Sequence, residues 1–133
     1  MKKIQLTDKE WKVKLKPEQY KALRLKESEK AYSGKYDKFQ EPGTYVCAAC
    51  QLPLFSSEAK YDSGTGWPSF FEPIKLENVV FREDVGFFTK RMEVVCAQCG
   101  GHIGHIFNDG PKPSGKRYCV NSVGLKFIGE KKK

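Results

Sequence analysis

The 133-residue sequence lacks any apolar run near the length of about 18 residues that a membrane-spanning helix needs. Its beginning, Met1–Asp8, is basic, but no apolar stretch follows it as one does in a secretory signal. We therefore expect a cytoplasmic protein without membrane contact. Because 39% of the residues are apolar, we also expect one packed domain over residues 1–133.

Positive charge is concentrated at the two ends of the chain, although the net charge is +8. Residues 1–40 carry 12 basic and 6 acidic side chains, and residues 126–133 carry 4 and 1. Residues 41–125 carry 8 and 9. Since a phosphate-binding surface needs basic side chains on one face of the core, we expect no nucleic-acid partner. We interpret the ends as solvated surface, with residues 129–133 as a basic tail.

The first 40 residues predict short helices that form an N-terminal extension. Thr7 is the expected cap of the first helix, with Glu10 as its capping-box partner. A second helix is expected to begin at Pro17 and to be broken at Ser33-Gly34. The residues expected on the buried sides of these helices are Trp11, Tyr20, Leu23 and Leu25.

Short apolar segments separated by Gly and Pro predict a mainly antiparallel β core over residues 41–128. The helices of the extension are expected to pack on this core. The glycine-rich stretch Gly101–Pro111 is interpreted as a loop. The predicted β segments are residues 44–46, 79–81, 85–88, 93–95, 118–120 and 125–128.

Five cysteines, an odd number, argue against a disulfide scaffold. Four of them form two C-x-x-C pairs, Cys47 with Cys50 and Cys96 with Cys99, each after an apolar segment. Two such turns can aim four sulfurs at one point, which is the ligand set of a structural zinc ion. We expect one structural zinc. Iron on the same ligands, a redox pair and a mixed site with histidine stay open as alternatives.

The fifth cysteine, Cys119, lies in a predicted strand, two residues after Arg117 and two residues before Asn121. With a period of two, Arg117, Cys119 and Asn121 project from the same face, and the guanidinium is expected to favour the thiolate. A lone cysteine on a β segment is more often buried filler. The cation and the amide beside this one indicate a nucleophile instead.

The two histidines and one tryptophan lie in glycine-rich stretches. His102 and His105 are three residues apart and are followed by Asp109, which indicates an acid/base cluster. Trp67 lies within the stretch Tyr61–Phe70, either as a cap on the core or as an apolar floor for a small nonpolar group.

Two other functions fit part of this pattern. A zinc-ribbon module that holds nucleic acid or a protein through basic helices would leave Trp67 and both histidines unexplained. Hydrolysis of an acyl substrate by Cys119 and a histidine would require an oxyanion hole.

Motifs over nearly the whole chain carry a family resemblance. The stretches Leu6–Trp11, Ser63–Phe70, Gly101–Gly110 and Arg117–Ser122, with the two C-x-x-C pairs, resemble those of the B-type peptide methionine-(R)-sulfoxide reductases. The resemblance implies two antiparallel sheets, with zinc on Cys47, Cys50, Cys96 and Cys99 and no organic cofactor.

The resemblance also implies the chemistry of the site. Methionine sulfoxide is a reversible oxidative lesion, and the family reduces its R epimer in oxidised proteins or peptides. Cys119 is the implied nucleophile, and the sulfur methyl group is expected to pack on Trp67. His102, His105 and Asp109 would bind and protonate the sulfoxide oxygen, with His105 as the favoured proton donor. Arg117 and Asn121 would shape the same pocket, and Phe107 would contact the substrate.

Thr65 stands where many relatives have a recycling cysteine, two residues before the tryptophan. No cysteine remains for that step once zinc has taken four. We therefore expect that an external thiol, from a thioredoxin-like protein or a small molecule, resolves a sulfenic acid on Cys119. We expect a monomer.

Overall fold

The fold is given by a computed structural model that describes residues 2–86 and 90–130. These residues form two short helices and two antiparallel sheets, so the protein is mainly β. No helix among them is long and apolar enough to cross a bilayer. The elements are α1 (Asp8–Lys14), α2 (Pro17–Leu23), β1 (Gly43–Cys47), β2 (Pro53–Ser56), β3 (Lys60–Tyr61), β4 (Ser69–Phe70), β5 (Val79–Val85), β6 (Lys90–Cys96), β7 (His102–Phe107), β8 (Arg117–Val120) and β9 (Leu125–Gly129).

The helices begin where the sequence predicts. The Glu10 N–H donates to the Thr7 hydroxyl at 3.2 Å, and the Thr7 N–H donates to the Glu10 carboxylate at 3.0 Å. This reciprocal pair satisfies N–H groups that have no partner within α1. Pro17 is the first residue of α2, where its missing N–H costs nothing. Trp11, on the inner side of α1, is fully buried.

The predicted end of the second helix is wrong. α2 ends at Leu23, not at Ser33-Gly34, and Lys26 adopts a left-handed φ of 62° that a helix cannot continue through. Leu25 is consequently 52% exposed instead of buried. Residues 24–42 contain neither helix nor strand.

The two sheets have the strand orders β2-β1-β9 and β3-β4-β8-β7-β6-β5, and every neighbouring pair is antiparallel. The expectation of two antiparallel sheets is therefore confirmed. Of the predicted segment 85–88, Val85 ends β5, whereas Phe87 and Phe88 lie outside the described residues. Residues 131–133 of the basic tail also lie outside them.

Aromatic side chains from both sheets meet in the core. Tyr45 and Phe55 come from the three-stranded sheet, and Phe70 and Tyr118 come from the six-stranded sheet. The rings of Phe55 and Phe70 stack with centroids 4.4 Å apart, and Tyr45 contacts Phe70 edge-on at 5.1 Å. Burial of these large rings is the main force that holds the sheets face to face.

The stretch from residue 102 to 107 is strand β7 in the middle of the six-stranded sheet, so its prediction as a loop is wrong. Gly104 belongs to this strand because a Cβ at that position would overlap the backbone carbonyl oxygen of Cys119. The glycine thus allows a close approach of two strands and does not form a turn.

Candidate active site and metal centre

Strand register places the fifth cysteine beside a histidine. In the pairing of β7 with β8, Cys119 lies directly opposite His105, and in the pairing of β4 with β8 it lies opposite Ser69. Directly opposite residues in antiparallel strands project to the same face. Cys119 and His105 are therefore adjacent on one face of the sheet.

A β-bulge brings the second histidine to the same face. His102 and His105 are three residues apart, which in a regular strand would place them on opposite faces. Between the pairs Val94–Gly104 and Val95–His102, β7 contains one residue more than β6, namely Ile103. The extra residue resets the alternation. The two imidazole rings consequently lie with their centroids 5.1 Å apart.

A cavity of about 220 Å³ opens over these side chains. Asp109 is not among the residues that line it. The other predicted catalytic and substrate-binding residues all line it, namely Cys119, His102, His105, Arg117, Asn121, Trp67 and Phe107.

Asp109 lies behind Arg117. Its carboxylate, 65% exposed, accepts hydrogen bonds from Arg117 Nε at 2.9 Å and from Arg117 Nη2 at 3.1 Å. The guanidinium carbon of Arg117 also lies 4.3 Å from the centre of the Phe107 ring. The paired hydrogen bonds and the ring hold the cation in one orientation at the cavity wall.

Two carboxylates that the sequence analysis missed hold the histidines. His102 Nδ1 donates to Glu93 Oε2 at 2.6 Å, and His105 Nε2 donates to Asp84 Oδ2 at 2.8 Å. Burial lowers the pKa of His102, against the opposing effect of Glu93. The hydrogen bond from His105 lowers the pKa of Asp84. The sequence offered one sign of such a carboxylate, because Glu93 is an acidic residue within the apolar run Met92–Val95. Its pairing with His102, however, depends on strand register, which the sequence does not reveal.

The pKa of the Cys119 thiol is raised, and not lowered as the neighbouring guanidinium alone would lead one to expect. The sequence predicts that Arg117 favours the thiolate, and the Arg117 charge and a hydrogen bond with Thr65 do lower this pKa. Burial has the larger effect, however, and the pKa is raised overall. In the resting protein Cys119 is therefore mainly a protonated thiol at neutral pH.

The indole of Trp67 is fixed from outside the sheet. It is half-buried, and its Nε1–H donates to the backbone carbonyl of Glu29 at 2.9 Å. The ring lines the same cavity as Cys119. The segment that contains Glu29 was predicted as helix, so its role here was missed.

The four paired cysteines meet at the ends of two strands from different sheets. Cys47 ends β1 and Cys96 ends β6, and all four Sγ atoms lie within 4.8 Å of one another. Sulfur atoms are 3.7 Å apart between Cys47 and Cys99 and 3.4 Å apart between Cys50 and Cys96. In a tetrahedral zinc site, with Zn–S bonds of about 2.3 Å, sulfurs lie about 3.8 Å apart. The donor set therefore fits a metal ion.

A larger open groove of about 790 Å³ shares Ser28 with the cavity that Cys119 lines. Neither a cysteine nor a histidine lines the groove. Because Cys119 and both imidazoles line the smaller cavity, that cavity is the candidate active site. The basic side chains that line the groove are Lys16, Lys21, Lys35 and Lys126.

Comparisons with known proteins agree with this geometry. The model of the SelR domain matches residues 15–129. A peptide methionine sulfoxide reductase MsrB from Leptospira interrogans is 52% identical over 96% of this chain and 97% of its own length. Proteins of the same name from Methanosarcina barkeri and Pseudomonas syringae are each 51% identical, over 97% and 96% of this chain and 91% and 98% of their own lengths. The chain belongs to the SelR-domain family, the MsrB family of peptide methionine sulfoxide reductases.

Proposed function

We propose that this protein reduces the R epimer of methionine sulfoxide in oxidised proteins to methionine. The observation that carries the proposal is the register of β7 and β8, which sets Cys119 directly opposite His105. Trp67, Arg117 and Asn121 line the same cavity. A nucleophile, a proton donor and an apolar surface thus surround one small volume.

Cys119 attacks the sulfoxide centre, and the sulfoxide oxygen moves to Cys119 Sγ. The substrate S–O bond breaks, an S–O bond forms on the cysteine, methionine leaves, and Cys119 becomes a sulfenic acid. The methionine sulfur gains two electrons and the cysteine sulfur loses two, so no further oxidant or reductant enters this step.

His105 is the proposed proton donor to the departing oxygen. The Asp84 carboxylate, whose pKa is lowered, accepts the hydrogen bond from His105 Nε2, so the proton for the oxygen comes from His105 Nδ1 on the other side of the ring. Burial lowers the pKa of His102, so that ring is neutral, and its Nδ1–H is committed to Glu93. His102 Nε2, which has no partner among residues 2–86 and 90–130, remains an acceptor. A single well-placed acid contributes about 10²–10⁴-fold in rate.

Three contacts with the substrate select one epimer of the sulfoxide. The sulfur methyl group packs on Trp67, the oxygen faces His105, and the sulfur faces Cys119. Arg117, held by Asp109, and Phe107 form the wall beside them, and Asn121 donates to the oxygen. Exchange of the methyl group and the oxygen would place oxygen on the indole, which disfavours the opposite epimer.

An external thiol completes the cycle. The other four cysteines converge on the metal centre, and Thr65 lies beside Cys119 in the cavity. One thiol from a thioredoxin-like protein or a small molecule attacks the sulfenic acid, releasing water and leaving a mixed disulfide. A second thiol releases Cys119. This chemistry requires a reducing compartment, which we propose to be the cytoplasm. Since one chain supplies every group, we propose a monomer with one catalytic domain.

A zinc ion on Cys47, Cys50, Cys96 and Cys99 is the proposed occupant of the metal centre. Four converging thiolate ligands with no open position are typical of structural zinc. The ion would stabilise the fold and take no part in the oxygen transfer.

The direct test supplies metal-loaded protein with a peptide that contains methionine R-sulfoxide, with dithiothreitol as reductant. We expect methionine as product, at least about 10²-fold less from the S-sulfoxide control peptide, and none above background from Cys119→Ser. Mass spectrometry without reductant should show a single added oxygen on Cys119. Normal turnover by Cys119→Ser would refute the proposal, and a disulfide between Cys119 and Cys50 would refute its resolution step.

A further inference from the structure

A seven-residue segment outside the sheets, Lys26–Tyr32, runs along the active-site cavity, and we call it the strap. Lys26 and Tyr32 at its two ends adopt left-handed φ angles of 62° and 66°. Residues other than glycine rarely adopt this conformation, and they do so mostly where surrounding contacts enforce it. Ser28 of the strap lines the cavity itself.

The centre of the strap holds two active-site side chains at once. The backbone carbonyl of Glu29 accepts the indole N–H of Trp67 at 2.9 Å, and the backbone N–H of Glu29 donates to Asn121 Oδ1 at 3.1 Å. Because the amide oxygen of Asn121 is occupied, its NH₂ group is the part left to face the cavity as a donor.

The Glu29 carboxylate anchors this arrangement. Its Oε1 accepts the backbone N–H of Val123 at 3.0 Å, and its Oε2 is buried without a partner among the described residues. Gly34 provides the room, since a Cβ there would overlap Oε2. With Oε1 bound to the Val123 N–H and Oε2 packed against Gly34, the side chain restrains the backbone to which it is attached.

Both ends of the strap reach other parts of the site. Lys26 Nζ lies 3.4 Å from Oε1 of Glu93, the partner of His102. The N–H of Tyr32 donates to the carbonyl of Gly66 at 2.7 Å, and its hydroxyl donates to the carbonyl of Gly64 at 2.8 Å. The strap therefore contacts both the partner of His102 and the backbone of the two glycines that precede Trp67.

We propose that the strap is a working part of the active site and that Glu29 is a positioning residue for Trp67 and Asn121. It touches neither the sulfoxide nor the reacting atoms, and it acts by fixing the indole against the methyl group and the amide toward the oxygen. The inference deepens the proposed reductase function and rests on it. Its first test therefore uses a measurement that does not depend on turnover.

That measurement is the indole ¹H–¹⁵N spectrum of labelled protein, which contains two tryptophans, Trp11 and Trp67. In Glu29→Ala, we expect the Trp67 indole resonance to shift and to lose protection from hydrogen exchange. The Trp11 resonance, from a fully buried ring on α1 outside the strap, should stay in place and report an intact fold. If Glu29→Ala does not fold, Glu29→Asp replaces it, because the shorter side chain withdraws its carboxylate from Val123.

Kinetics with the methionine R-sulfoxide peptide form the second test. Glu29→Ala should lose about 10–100-fold in kcat/KM, the size of effect that misplaced substrate-positioning groups produce. Glu29→Gln keeps an acceptor for Val123 and should remain within about threefold of wild type. Glu27→Ala, an exposed acidic neighbour in the strap, is the matched control and should behave like wild type.

An unchanged Trp67 resonance in Glu29→Ala, or a kcat/KM within twofold of wild type, would overturn the positioning role. Absence of sulfoxide reduction in the wild-type protein would instead overturn the proposed function, while the spectrum would still decide whether Glu29 holds the indole.

Discussion

At the scale of single residues, the reactive sulfur combines two opposed influences. Burial raises the pKa of Cys119, whereas the Arg117 cation and the Thr65 hydroxyl lower it, and the Glu29 carboxylate adds to the increase. A protonated thiol reacts slowly with small oxidants and alkylating agents, since the thiolate is the nucleophile. The proposed nucleophile is therefore weakly reactive toward such reagents in the resting site.

The pH dependence of alkylation tests this balance. In wild type, the rate of Cys119 alkylation by iodoacetamide should still be rising at pH 9, because the pKa lies above its ordinary value of 9.0. Arg117→Met removes an influence that lowers the pKa, so the pKa rises further and the profile moves to higher pH. We expect alkylation at pH 8 to become roughly tenfold slower, the effect of losing one adjacent opposite charge.

Lys116→Met is the matched control for this measurement. It removes the same charge one position away in sequence, but Lys116 is exposed and bonds to Asn108, away from the cavity. Its profile should overlay that of wild type. An equal change in Lys116→Met and Arg117→Met would mean that net charge, and not the guanidinium at the cavity wall, sets the reactivity of Cys119.

At the scale of elements, β7 is the strand on which the site depends. Its bulge at Ile103 puts both imidazoles on one face, and its glycine lets β8 approach. In the pairing of these strands, Gly104 lies opposite Val120, one position from the pair of His105 with Cys119. Any separation of β7 from β8 would therefore widen the distance between His105 and Cys119.

Gly104→Ala should produce that separation. The added methyl group overlaps the Cys119 carbonyl oxygen, so the two backbones must move apart. We expect a loss of roughly 1–3 kcal/mol in the free energy of unfolding, as for other overpacked sites, and a fall of about 10–100-fold in kcat/KM. Chemical denaturation and peptide reduction measure the two effects.

Gly129→Ala is the control for the glycine substitution. Its new Cβ would make only an ordinary contact at 3.6 Å with Phe127, at the exposed end of β9. Stability and kcat/KM should both be close to wild type. A Gly104→Ala protein of wild-type stability and activity would contradict the close approach of β7 and β8.

The same strand shows what the sequence can and cannot predict. Local patterns identified the capping box at Thr7, the two C-x-x-C turns and the polar face of β8, because each depends on residues near one another in the chain. Gly104 was read as a loop residue, since a glycine that admits a neighbouring backbone has the same local signature as one in a turn. Glu93 and Asp84 were missed because their contacts follow from strand register and a bulge.

The strap was misread for a related reason. Leu25 continued an approximate helical spacing after Leu23, and nothing local announces that Lys26 adopts a left-handed conformation. The ion-pair partners of its side chain, Glu93 and Asp84, lie far away in the chain. Tertiary contacts thus overrode local helix propensity in the segment that positions Trp67.

At the scale of the whole molecule, the four-cysteine cluster lies where the two sheets meet. Cys47 ends β1 of the three-stranded sheet, and Cys96 ends β6 of the six-stranded sheet. The ring cluster of Tyr45, Phe55 and Phe70 holds the sheets face to face, and the sulfurs tie their ends. Because the four-sulfur site rarely exists in an unfolded chain, the free energy of metal binding would add to the stability of the folded state. A fold this small therefore gains a second constraint beyond its core.

Loss of the metal should accordingly weaken the entire fold. Cys50→Ser removes one ligand from a half-buried turn outside the strands, and we expect it to lose the metal and to melt at least about 10 °C lower. Elemental analysis and thermal unfolding followed by circular dichroism measure the two losses. Cys119→Ser is the matched control, since it replaces the same atom outside the quartet and should keep both the metal and its melting temperature. If metal-free Cys50→Ser had the melting temperature of wild type, the aromatic core alone would hold the two sheets together. The proposed structural role of the four-cysteine centre would then be wrong.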